Sequence, residues 1–67
     1  MSYLSDIGRI LVNHSQRQEA VFVGHALLHI GEWETNPNRG GQWKLDTLRA
    51  ARNSLDISIR ILEDQCS

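Results

Sequence analysis

The chain has 67 residues, a net charge of −1 and a single cysteine, Cys66. A chain of this length supports one domain with a marginal core unless an oligomer or a metal assists it, and one cysteine excludes a disulfide within the chain. Seven Lys and Arg against eight Asp and Glu give no bulk pull toward nucleic acid, and no apolar run approaches the roughly 18 residues that span a bilayer.

Ser2 can cap a helix that starts near Tyr3. Apolar residues at positions 3, 4, 7, 10 and 11 then recur at helical spacing. Asn13, His14 and Ser15 are weak helix formers, so a kink or break is expected near 13–16. The helical pattern resumes at Gln16 and runs to about Glu34. Within it, Ala20–Ile30 reads AVFVGHALLHI, apolar almost all the way round, and a helix of that kind is buried on every side. Ala20, Gly24 and Gly31 fall near one another on it, and a mid-helix glycine at position 24 predicts close approach of another helix.

The only proline and the only Gly-Gly pair lie together in residues 35–42, TNPNRGGQ, which predicts a loop. A second helix follows over about 43–64. At about 100° per residue, its Asp46, Arg49, Arg52, Asn53, Asp56, Arg60, Glu63 and Asp64 gather on one solvated arc. Two apolar stripes remain. Leu48, Ala51, Leu55, Ile59 and Leu62 form one, expected to make the seam of a hairpin. Trp43, Ala50, Ser54, Ile57 and Ile61 form the other, which needs a further surface, as when two hairpins build a four-helix bundle. The expected fold is therefore all-α. It is a single antiparallel two-helix hairpin, with helix 1 over about 3–34 and helix 2 over about 43–64, that assembles into a four-helix bundle or larger oligomer. Ala20, Gly24, Leu27, Ile57 and Ile61 are the expected subunit interface.

If the first helix is continuous, His14, Gln18, His25, His29 and Glu32 line one side of it. His25 and His29 with Glu32 one turn on have ligand chemistry, but HExxH is absent because position 26 is Ala. No metal or cofactor is assigned. The stripe is read instead as polar groups that find partners across a subunit boundary, and an association that buries neutral histidines weakens as pH falls through their titration. The serines have no nucleophile context, and NRGGQ lacks the lysine spacing of a phosphate loop, so catalysis is not expected. Trp33 and Trp43 flank the loop and are expected to close the hairpin end. With Arg39 and Lys44 they are also the candidate contacts for a ligand or partner.

From Gln16 to Ile61, the RQEA at 17–20, the connector proline Pro37 and the frame Leu45, Leu48, Ala51 and Ile59 resemble the short helical hairpins of phage anti-CBASS sponge proteins. The resemblance covers about two-thirds of the chain and uses positions that many helical hairpins share. It implies an oligomer that sequesters a cyclic nucleotide signal. The extended, proline-bearing N-terminal segment of that family has no counterpart, since residues 3–12 read as helix, and no ligand residues carry over. Plasmid RNA-binding hairpins that dimerise into four-helix bundles are similar in architecture alone. The function expected is thus protein–protein interaction by a self-associating, non-enzymatic cytoplasmic protein. A phage-encoded inhibitor of a host defence or regulatory protein is one such protein. The alternatives are a sponge for a small anionic signal and an RNA-binding dimer.

Overall fold

A computed structural model describes residues 3–66, and the expected cap at Ser2 lies outside them. The described chain is all-α, with α1 at Tyr3–His14, α2 at Gln18–Thr35 and α3 at Gly41–Cys66. The first helical region is thus two helices. The chain reverses between them, where the serine competes with the helix for backbone groups. The Ser15 hydroxyl oxygen accepts the Arg17 N–H at 3.2 Å, and the Ser15 N–H donates to the Leu11 carbonyl at 3.2 Å. Arg17 then enters α2 from extended backbone. The reversal removes His14 from the histidine stripe, because it now ends a different helix.

At the other end of α2, the Thr35 hydroxyl donates to the Glu32 carbonyl, as do the backbone and side-chain N–H groups of Asn36, at 2.9–3.1 Å. Those bonds occupy an acceptor that the helix end would otherwise leave open. The connection to α3 spans only 36–40, shorter than expected at both ends.

α2 packs against both of its neighbours, while α1 and α3 do not touch each other. The molecule measures 43 × 24 × 10 Å over its Cα atoms. A helix is about 5 Å across its Cα atoms and helix axes pack about 8–10 Å apart, so two stacked layers would exceed ~13 Å, and a 10 Å extent leaves a single layer. Its radius of gyration, 12.8 Å, exceeds the ~11 Å of a compact domain of this length.

Both contacts in the layer rest on small residues. Where α1 crosses α2, a Cβ on Gly8 would lie 2.8 Å from the Gly24 carbonyl oxygen, and a Cβ on Gly24 would lie 2.8 Å from the Gly8 carbonyl oxygen. No glycine has positive φ, so what Gly8 and Gly24 supply here is room. Gly24 was expected at a subunit interface; its close approach is to α1 of the same chain. Gly41 opens α3 with nothing within 4 Å of an added Cβ. Gly41→Ala should therefore leave the melting temperature unchanged or raise it by the equivalent of about 0.5–1 kcal/mol, as a thermal melt would show.

Between α2 and α3, the buried residues are Ala26 of α2 and Thr47, Ala51 and Ser58 of α3. The Ser58 hydroxyl donates to the Glu19 carbonyl at 2.7 Å. Pairing Glu19 with Ser58 in an antiparallel register sets Ala26 level with Ala51. The expected seam of Leu48, Leu55, Ile59 and Leu62 is thereby corrected: these residues are 45%, 40%, 53% and 44% exposed. The row Thr47, Ala51, Ser54 and Ser58 repeats at 4-3-4, also a helical spacing, with smaller side chains. It admits α2 more closely, and the leucines turn outward.

Candidate functional site

The packing residues fix the rotation of each helix, and about 100° per residue does the rest. With α2 antiparallel to both neighbours, Tyr3, Ile7, Ile10 and Leu11 of α1, Ala20 and Leu27 of α2, and Leu48, Leu55, Ile59 and Leu62 of α3 fall on one side of the layer. The opposite side carries Arg9 of α1, Gln18, Phe22, His25, His29 and Glu32 of α2, and Asn53 and Ile57 of α3. The first side is mainly apolar, interrupted by the exposed His14 of α1 and Glu34 of α2, and the other is mixed. A three-layered or closed arrangement would bury the first; a single layer cannot.

The magnitudes show how much is left uncovered. Among the described residues the only buried hydrophobics are Ala26 and Ala51, and no large side chain is fully buried. Tyr3, Ile10, Leu45, Leu48, Leu55, Ile59 and Leu62 are all at least 40% exposed. Taking a fully exposed residue of this size as roughly 200 Å², they present on the order of 700 Å² together, about half of it on the α3 row Leu48, Leu55, Ile59 and Leu62, where the largest patch on a typical monomer is about 300–600 Å². The whole chain exposes 4888 Å², where a compact monomer of 7.6 kDa would expose about 4300 Å².

The other expected site residues are dispersed. His14 and Gln18 are exposed on different helices, as is Glu32 further along α2. His25 and His29 are half-buried on the mixed face, with the Phe22 ring centroid 5.9 Å from that of His25. Among the described residues no three His, Cys, Asp or Glu side chains stand close enough together to hold a metal ion. Ile57 and Ile61 are half-buried at the edge of the α2 contact; Ile57 belongs to the face opposite the leucines.

At the loop end, Arg39 covers the Trp43 ring with its guanidinium carbon 5.0 Å from the centroid, a cation–π contact. Trp33 is half-buried, and its Nε1 is shut off from solvent without an acceptor. Lys44 is half-buried. The nearby groove, about 280 Å³, is lined by Thr35, Asn36, Pro37, Asn38 and Arg39 alone, so it is the inside of a turn with no second wall. None of the described helices is long and apolar enough to cross a membrane.

Comparison with protein-family models, curated proteins and solved structures finds no match to this chain. The leucine face therefore stands on its own geometry. What that geometry can do is associate: it offers an exposed aliphatic row on a helical support, with charged side chains around it.

Proposed function

We propose that this protein acts by binding and not by catalysis: a small self-associating helical protein that engages another protein as an inhibitor or adaptor. The observation that supports this reading is the single-layer architecture, which leaves an apolar face open on a chain too small to stabilise itself by its own core. The half-buried tryptophans at the loop end are the natural second contact, because tryptophan concentrates binding energy where it is desolvated.

The test is to immobilise the tagged chain, pass a lysate of the source cell over it, and measure the mass of the free chain in parallel. The reading expects an oligomer that retains a protein in fixed stoichiometry through washing at high salt. A monomer that retains none would contradict it. A melting shift on adding cyclic nucleotides would favour the sponge instead, and steeply salt-dependent RNA binding would favour the RNA-binding dimer.

A further inference from the structure

We propose that the occupant of the leucine face is a second copy of this chain, docked across a two-fold axis through Leu48, Leu55, Ile59 and Leu62 to make a two-layer, six-helix dimer. This rests on the self-association proposed above and specifies its surface. The area argues the same way: the exposed large hydrophobics present on the order of 700 Å², about half of it on Leu48, Leu55, Ile59 and Leu62, against the ~800 Å² of mixed surface that each partner contributes to a stable interface. The surplus of total exposed area over a compact monomer, about 600 Å², is of the same size.

The spacing fits as well. Leu48, Leu55, Ile59 and Leu62 stand seven, four and three residues apart, the repeat that keeps a helical seam turned toward another helix. Ser58 lies level with Glu19, so Arg60–Cys66 run past the first residue of α2, and Leu62, 44% exposed, lies on that overhang. A two-fold interface pairs a surface with itself, so its charges must complement themselves. The α3 margin of the face carries both Arg52 and Glu63, one of each sign, and a net charge of −1 per copy opposes pairing little. A lipid surface would call for a basic margin, which is not present.

The experiment compares sedimentation equilibrium of three chains: the parent, Leu55→Gln/Ile59→Gln, and Ile57→Gln/Ile61→Gln, with circular dichroism at the same concentrations. The parent and the 57/61 variant are expected at twice the chain mass. The 55/59 variant is expected to dissociate at least ~100-fold more readily, since each change is present twice in the interface. A 55/59 variant that keeps its mass while the 57/61 variant dissociates would overturn the face and leave self-association standing. A folded parent at single-chain mass would overturn both. Should the 55/59 variant unfold, isotope-filtered NMR on a mixture of labelled and unlabelled parent decides the matter. Contacts between copies at the Leu55 and Ile59 methyls support the dimer, and their absence overturns it.

Discussion

Gly24→Val is expected to unfold the protein at temperatures where the parent is folded. The reason is the approach of two backbones. A Cβ at position 24 would lie 2.8 Å from the Gly8 carbonyl oxygen, 2.9 Å from the Leu11 Cβ and 3.0 Å from the Val12 Cγ2. Two of those neighbours are fixed parts of α1 and cannot swing aside as a long side chain could. Alanine at an ordinary helix position gains about 1 kcal/mol over glycine. Here overpacking opposes that gain with a cost of about 1–3 kcal/mol, and valine adds two methyl groups and a stiff χ1. A domain of this size holds only ~3–5 kcal/mol from its core, so valine removes most of it. Gly24→Ala should lower the melting temperature by about 5–10 °C, at 4–8 °C per kcal/mol. A Gly24→Ala chain that melts at or above the parent would contradict the crossing.

Ala51→Leu is expected to be nearly as damaging, at the other contact of the layer. Ala51 is 3% exposed, and Ala26, level with it on α2, is 2% exposed. Axes that approach over alanines leave no volume for an isobutyl group, and the chain must either part α3 from α2 or strain the rotamer. A loss of about 2–3 kcal/mol follows, with a fall of about 10–20 °C in melting temperature. The experiment also separates two arrangements of α3. Were the leucines turned inward, Ala51 would sit among them, and Ala51→Leu would extend the seam and be tolerated. An unchanged melt would therefore contradict the packing of Thr47, Ala51 and Ser58 against α2.

The helical character, the loop at Pro37 and the break near residues 13–16 were legible because they are written in local chemistry: apolar spacing, a proline, and a serine that captures the Arg17 N–H. The path of the chain after the break was not. A kink and a reversal share the same weak helix formers, and the difference lies in whether Gly8 meets Gly24, a contact between residues that apolar spacing does not mark. The two sides of α3 were exchanged for a similar reason. Ranking its stripes by hydrophobicity puts Leu48, Leu55, Ile59 and Leu62 inside, yet Thr47, Ala51, Ser54 and Ser58 also repeat at a helical spacing and allow closer packing. The excess of apolar surface on α2 and α3 was visible from the start. Its placement on one side of a single layer depended on which of these two rows faced α2.

Sedimentation equilibrium of the parent chain, over a wide concentration range and with its helix content followed in parallel, tests the uncovered face most directly. The chain should sediment as a fully helical species at twice 7.6 kDa, losing mass and helix together on dilution because the layer and its cover stabilise one another. A species of 7.6 kDa that keeps its full helix content at every concentration would contradict it, since the leucine face would then stand open to water in a stable protein.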